Sequence, residues 1–445
     1  MTKTLNIAMV SDFFYPNVGG VENHIYQLAQ CLLANGHKVI IITHSYENRI
    51  GLHFITGMLR VYYLPLLVFY NQCVLPTIIG TLPMIRTILL SEKIDIVHGH
   101  SSFSTLAHET MFHAKTLGIF TVFTDHSLFG FADASSILTN KILELSLADV
   151  NHAICVSHTS KENTVLRANL QPQNVFVIPN AIDPNEFSPV ELSNGDGRLR
   201  IIVMSRLVYR KGMDLLAGIM PEICQHYSDV DFIIGGDGPK RLLLEETKEI
   251  YQLHDRIQFL GAVPHNRVSE ILNQGDIFLN TSLTEAFCMS IVEAACCGLQ
   301  VVSTSVGGIP EVLPTDLIHL ADPSVHSLLT NLHKVIENIR KGNVTSKPEI
   351  HKKVSRLYTW PKVASRTEAV YHSVMKQRRP TLKGRIQKVL SCGPVIGKLF
   401  IIFIFLDHLV CRILDIIQPV KSKHSEDITT KVHCETHFAV KSGKR

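Results

Sequence analysis

Asn280 to Thr304 reads NTSLTEAFCMSIVEAACCGLQVVST, and its pattern decides the fold. Ile277 to Asn280 is a short apolar run. Met289 to Cys297 is rich in Ala, Glu and apolar residues, and Gly298 breaks the pattern before the β-branched run from Gln300 to Thr304. This predicts strand, loop, helix, glycine cap and strand. Glu285 falls in the loop and Glu293 in the helix, so the two carboxylates, eight residues apart, can approach one ligand from different directions. Amides at a helix start attract anions, and carboxylates accept from hydroxyls. The pair therefore points to a ligand with phosphate and hydroxyl groups, the alternative being two solvated side chains.

Working outward, the same alternation begins earlier, at Arg200 to Ser205, and continues through RLVYRKG, Phe232 to Ile234, GGDGP, Ile257 to Leu260 and GAVPH. Arg206 and Lys211 lie between a strand end and a helix, where an Arg fork and a Lys point charge can hold a diphosphate; a solvated surface is the plainer reading for Lys211 alone. Asp229-Val230-Asp231 has the look of a metal-carrying acidic pair but leads into a strand, away from the ligand end, and reads as a turn. A first alternation occupies the N-terminal half. NIAMV is a strand, SDFFYPNVGGVE a loop with Gly19 and Gly20, and Leu28, Leu32 and Leu33 have helical spacing. Without side chains, Gly19 and Gly20 let backbone amides approach a phosphate, although G-x-G-x-x-G is absent and an ordinary turn explains the pair equally well. His126 follows a strand at the end where open α/β sheets bind ligands, though a lone His is more often structural. Pro179, Pro184 and Pro189 mark a boundary, and two nucleotide-fold halves predict a site in the cleft between them.

Composition excludes several classes. At 445 residues, 46% hydrophobic and 18% charged, the chain is too apolar to be disordered, and a net charge of +4 does not argue for nucleic acid. The ten Cys show no CxxC or Cys/His ligand spacing, so no metal is expected, and reduced thiols fit a cytosolic setting. Met1 to Tyr15 lacks a signal-peptide core. Leu59 to Leu90 is strongly apolar but interrupted by Pro65, Pro76 and Pro83; core packing is the favoured reading, with a lipid-facing patch around Phe69 and Tyr70 as the sharper one.

Taken together, Glu285-x7-Glu293, the Gly19-Gly20 loop, VIPNAID, SRLVYRKG, GGDGP and GAVPH resemble the retaining GT-B glycosyltransferases over about residues 5 to 375. SDFFYPNVGGVE, FTDHSLFGFAD, ICVSHTSKENTVLRA and NTSLTEAFCMSIVEAA are similar, more narrowly, to the catalytic subunits of phosphatidylinositol N-acetylglucosaminyltransferase. The resemblance implies two Rossmann-like α/β domains facing a cleft, a UDP-N-acetylglucosamine donor, a phosphatidylinositol acceptor, retention of configuration and no cofactor. It also implies other subunits of a membrane-bound complex and catalytic domains on the cytosolic face of the endoplasmic reticulum. Gly19 and Gly20 would approach diphosphate and acceptor, and Arg206 and Lys211 would stabilise leaving UDP. Glu293 would bind ribose, Glu285 with the amides of Ala286, Phe287 and Cys288 the donor sugar, and His126 the sugar near its reacting carbon. A non-catalytic scaffold that binds nucleotide-sugar and a transferase with another donor or acceptor are the competing readings.

The expected organisation is an N-terminal domain over 1–185, a linker over 186–198, a nucleotide-sugar domain over 199–375, a basic connector over 376–394, a membrane helix over 395–417 and a tail over 418–445. Residues 395–417 read VIGKLFIIFIFLDHLVCRILDII, long enough to span but carrying Lys398, Asp407, Arg412 and Asp415. A central Asp costs about 2.5 to 3.5 kcal/mol on insertion scales, while Lys and Arg near the ends can snorkel. Hydropathy leaves spanning and interfacial helices open; the resemblance implies a single-pass span.

Overall fold

A computed structural model describes residues 3–17, 19–129, 134–190 and 197–420. The chain divides into two compact units, one comprising residues up to Val156, 161–178 and those from Pro361 onward, the other 157–160 and 179–360. The boundary at Pro179 falls in the proline-rich stretch.

In the first unit, eight strands among the described residues form one sheet in the order Val175–Val177, His152–Cys155, Phe120–Asp125, Ile96–His100, Asn6–Val10, Lys38–His44, Leu59–Leu64 and Gly51–Ile55. All pair in parallel except the last, which returns antiparallel on Leu59–Leu64. A parallel sheet is covered on both faces, so its strands are apolar throughout rather than alternating. Ile40, Ile42, Val97 and Phe123 meet Ile85, Leu89 and Met111 of the flanking helices.

The second unit has six parallel strands among the described residues, ordered Ile257–Gly261, Val230–Gly235, Leu199–Met204, Ile277–Asn280, Gln300–Thr304 and Ile318–Ala321. Phe232, Ile201, Ile277 and Leu279 pack beneath Leu216, Met220 and Leu332. Asn280 to Thr304 folds as its sequence predicts, with strand Ile277–Asn280, helix Met289–Cys296, Gly298 in the left-handed region at φ 85°, and strand Gln300–Thr304. Asp231 lies in a strand and pairs with Arg198 and Arg256, while Asp229 pairs with Arg340, so the Asp-Val-Asp triplet ties helices and strands together.

Three features depart from the sequence expectation. Helix Trp360–Met375, placed by its sequence with the second half, belongs to the first unit. Its Tyr371 hydroxyl shares a 2.6 Å hydrogen bond with His98 Nδ1, and Glu368 accepts from Asn35 and meets His37. Leu59 to Leu90 divides in two: Leu59–Leu64 and helix Leu82–Ser91 supply core residues, but the hairpin between them leaves Phe69 75% and Tyr70 68% exposed.

The third concerns the membrane helix. Residues Ile396–Ile417 are helical, yet no helix among the described residues is long and apolar enough to cross a membrane. The length suffices; the charged side chains do not suit a bilayer interior. Asp407 is fully buried against the protein, bonded to His113 and Thr116. The tail from 421 lies outside the described residues.

Candidate functional site

The second unit gathers its candidate residues at the C-terminal ends of its central strands, where parallel sheets bind ligands. Strand Leu199–Met204 runs into the loop carrying Arg206 and Lys211, and strand Ile277–Asn280 into the loop carrying Glu285. These loops lock together. Thr281 Oγ1 donates to the Lys211 carbonyl at 2.8 Å, and the Leu283 amide to the Arg210 carbonyl at 2.8 Å. Gly212 makes this approach possible, because its φ is 69° and a Cβ there would lie 1.8 Å from the Thr281 carbonyl oxygen. The GGDGP loop closes on the same segment: a Cβ on Gly236 would lie 1.8 Å from Ser205 O, and the Leu207 amide donates to Asp237 O at 2.9 Å.

Lys211 and Glu285, 74 residues apart, are thereby brought into an ion pair. Ser282 Oγ donates to the same Glu285 oxygen at 3.0 Å, and the loop is held from beneath by Asn280, which donates to Ser303 at 2.9 Å. Arg206 is exposed, with no side-chain hydrogen bond among the described residues. Ala286, Phe287 and Cys288 form the turn into helix Met289–Cys296; Cys288 takes φ 72° at the helix start, leaving the first amides open to an acceptor. Burial pushes the Cys288 thiol up to about 12, so it is no nucleophile near neutral pH.

Glu293 is in a different state. It projects from that helix, half-buried, and no group among the described residues hydrogen bonds to its carboxylate. Burial, followed by the charge of Glu186, pushes its pKa up to about 7. A carboxylate held without partners is suited to accept from a ligand's hydroxyl groups. A surface hollow of about 930 Å³ in the same unit, lined by Leu242, Glu245, Lys248 and Phe259, contains none of these residues.

In the first unit, Gly19 precedes helix Gly20–Ala34, and a Cβ on Gly20 would meet open space. The chain's own packing therefore makes no demand for glycine at 20, consistent with room kept for a ligand. His126 follows strand Phe120–Asp125 and is accompanied by residues that the sequence does not single out. His100 Nδ1 lies 3.3 Å from His126 Nε2, and the His24 ring stands edge-on to His126 with centroids 4.8 Å apart. Burial and the neighbouring imidazoles hold His100 and His126 well below the usual histidine range, and His98 at about 3, so all three are neutral. The neighbouring Asp125 is buried and accepts from Ser102 and Thr164, each at 2.9 Å, which fixes the strand end carrying His126.

Each of His24, His100 and His126 offers one nitrogen, all within 4.8 Å of one another. Two nitrogens sharing one zinc at about 2.1 Å lie at most about 4.2 Å apart, so the rings would have to draw together to hold an ion. A signal for His100 is present in the sequence, since IVHGH ends a strand at the same level as TDH. His24 is separated from both by more than 70 residues and emerges only in the fold.

With this geometry in view, comparison with known proteins is decisive. The family described as PIGA (GPI anchor biosynthesis) matches residues 44–133, and Glycosyl transferases group 1 matches residues 185–347. A human phosphatidylinositol N-acetylglucosaminyltransferase subunit is 60% identical over 400 residues, covering 90% of this chain and 82% of the human one. The chain belongs to the PIGA family of phosphatidylinositol N-acetylglucosaminyltransferase subunits. It is a glycosyltransferase with the GT-B fold. Sucrose-phosphate synthase of Thermosynechococcus elongatus superposes with a TM-score of 0.69 at 19% identity, covering 83% of this chain and 99% of that one. Anabaena HepE, crystallised with UDP and glucose, gives 0.65 at 17%, covering 83% and 100%. Membership of this family bears out the resemblance read from the motifs.

Proposed function

We propose that this chain transfers N-acetylglucosamine from UDP-N-acetylglucosamine to an inositol hydroxyl of phosphatidylinositol with retention of configuration. It acts as the catalytic member of a membrane complex at the cytosolic face of the endoplasmic reticulum. The observation that carries this reading is the ion pair of Lys211 with Glu285, held by two interlocked loops, one of which also carries Arg206, at the strand ends of a family glycosyltransferase. Breaking the bond from sugar to phosphate leaves negative charge on UDP and positive character on the sugar. Fixed cations and helix amides at the diphosphate therefore stabilise the transition state more than the ground state.

Arg206 is assigned to the diphosphate by its fork and Lys211 by its point charge. Glu285, held in place by Lys211 and Ser282, accepts from donor-sugar hydroxyls beside the amides of Ala286, Phe287 and Cys288; Glu293 accepts from the ribose. From the first unit, Gly19 and Gly20 are assigned to the diphosphate and acceptor, and neutral His126 to a hydrogen bond with the sugar. The two Glu residues are not the acid and nucleophile of a glycosidase, since the ion pair with Lys211 and the resemblance to retaining transferases favour same-face displacement assisted by the leaving phosphate. The exposed Phe69 and Tyr70 tip supports a lipid-borne acceptor.

Membranes containing the wild-type chain, given labelled UDP-N-acetylglucosamine and phosphatidylinositol, should form labelled glycolipid. Label appearing only as free sugar, or not at all in the assembled complex, would refute the assignment.

A further inference from the structure

Three imidazoles converge in the first unit from distant parts of its sequence. His24 lies one turn into helix Gly20–Ala34, His100 ends strand Ile96–His100, and His126 follows the neighbouring strand Phe120–Asp125. The two strands pair with His100 opposite Thr124, which places both of their His residues at one end of the sheet. Gly99 draws the first of them onto helix Thr105–Thr116, for a Cβ there would lie 2.9 Å from Met111 Sδ. His24 and His100 are buried and His126 is half-buried, so solvent reaches the cluster at the His126 ring.

Hydrogen bonding within the protein accounts for His98 but not for His100. His98 uses both nitrogens, Nδ1 with the Tyr371 hydroxyl at 2.6 Å and Nε2 with Thr124 Oγ1 at 2.7 Å. His100 Nδ1 faces His126 Nε2 at 3.3 Å, and its buried Nε2 has no hydrogen-bond partner among the described residues. A buried polar nitrogen left in that state is costly and calls for a reason. Burial also holds His100 and His126 neutral, the form in which imidazole ligates a metal.

The spacing suits a shared ion. Two ligands of one tetrahedral zinc at about 2.1 Å stand about 3.4 Å apart. His100 Nδ1 and His126 Nε2 already have that spacing, at 3.3 Å. One nitrogen from each of the three rings lies within 4.8 Å of the others, so the widest pair closes by about 1.4 Å, a shift that ring rotation supplies because the outer torsion of His is broad. Asp125 beside them accepts from Ser102, Thr164 and the Ser127 amide, which leaves the fourth position of such an ion to water.

We propose, on the sugar contact assigned to His126 above, that His24, His100 and His126 ligate a zinc-class ion, and that this ion switches glycosyl transfer off by taking the His126 nitrogen from the donor sugar. Imidazole ligands suit zinc, and three of them leave the ion one open position on the solvent side. The ion is a brake on transfer, not a participant in it.

The purified full chain is washed with chelator and titrated with zinc and, separately, with cobalt, without substrates. Zinc should bind, and cobalt should give the strong visible absorption of a four-coordinate site. His24→Gln and His100→Gln should each weaken zinc binding about a hundredfold, since even changes beyond the ligand shell cost that much, and should abolish the cobalt absorption. His24→Cys, which restores a ligand, should recover zinc binding and so separates ligand loss from misfolding. A wild type that takes up neither metal, or Gln variants that bind both as wild type does, overturn the proposal. In chelator-washed membranes, zinc should inhibit transfer in competition with UDP-N-acetylglucosamine, chelator should restore it, and His24→Gln should resist the same zinc. Zinc held by the three His residues with transfer undiminished overturns the switch. A metal-free wild type that transfers no sugar counts instead against the proposed reaction, and the substrate-free titration still decides the site.

Discussion

Glu285 and Glu293 belong to one motif yet live under opposite conditions. Glu285 is satisfied before any ligand arrives, by Lys211 and by Ser282 at 3.0 Å. Glu293 is half-buried, without a hydrogen-bond partner among the described residues, and shifted to about 7 by burial and Glu186. The difference separates positioning from readiness. A paired carboxylate is held in one geometry and orients the cation beside it, whereas an unpaired one keeps its accepting capacity for the ligand at a cost in stability.

The strongest way to break the contrast is Glu285→Gln. Its amide oxygen still accepts from Lys211 and Ser282, so the fold should persist, but turnover should fall about 10² to 10³-fold if the charge acts at the transition state. Unchanged turnover in a membrane assay removes Glu285 from the mechanism.

Gly212→Ala attacks the same pair from the backbone. With φ at 69° and 1.8 Å to the Thr281 oxygen, the loop must move and separate Lys211 from Glu285. Thermal unfolding should reveal a loss of about 1 to 3 kcal/mol, and turnover should fall roughly a hundredfold. Wild-type activity after that substitution would show that the ion pair is incidental.

Glu293→Gln sharpens the contrast through pH. Accepting from two hydroxyls requires the ionised form, so wild-type donor affinity should weaken as pH falls through 7, about tenfold per unit below it, while the Gln variant stays flat. A carboxyl raised in the folded state favours folding only while protonated, and that contribution is lost as pH rises from 4.5 through about 7. The ligand-free variant should therefore be more stable than wild type at pH 8, on the order of 1–2 kcal/mol, with the gain shrinking toward pH 4.5. Calorimetry at the two pH values checks the sign. The smallest effect is expected far from both carboxylates: Phe69→Ser should weaken binding of the full chain to phosphatidylinositol vesicles about threefold to tenfold, leaving the pH dependence of donor binding untouched. Unaltered vesicle binding would sever the hairpin from the lipid.

How much of this is legible in advance follows from the range of each interaction. The strand, loop, helix and strand of Ile277 to Thr304 depend on local periodicity and glycine punctuation, so the sequence reveals them. The Lys211 and Glu285 partnership is legible only through motif resemblance, because nothing local joins residues 74 apart. His24 escapes a linear reading because it sits on a separate element, more than 70 residues from His100 and His126, and a cluster on three elements has no sequence spacing. Hydropathy registers Asp407 as a defect in a membrane span; it cannot know that His113, almost 300 residues earlier, is waiting for it. Helix Trp360–Met375 crosses back to the first unit for the same reason, its anchors being His98 and His37.

Asp12 closes a different gap. Its buried carboxylate accepts from the amides of Val74 at 3.1 Å, Thr105 at 3.0 Å and Leu106 at 3.1 Å, joining the first strand's loop to the foot of the exposed hairpin and to a helix start. Glu109 grips Thr77 and Ile78 just beyond. The hairpin is therefore a free fingertip on a clamped knuckle. Its exposed tip, Phe69 and Tyr70, lies beyond the hydrogen bonds that hold the base to the sheet, so a substitution at the tip breaks none of them, whereas one at Asp12 or Glu109 releases several amides at once.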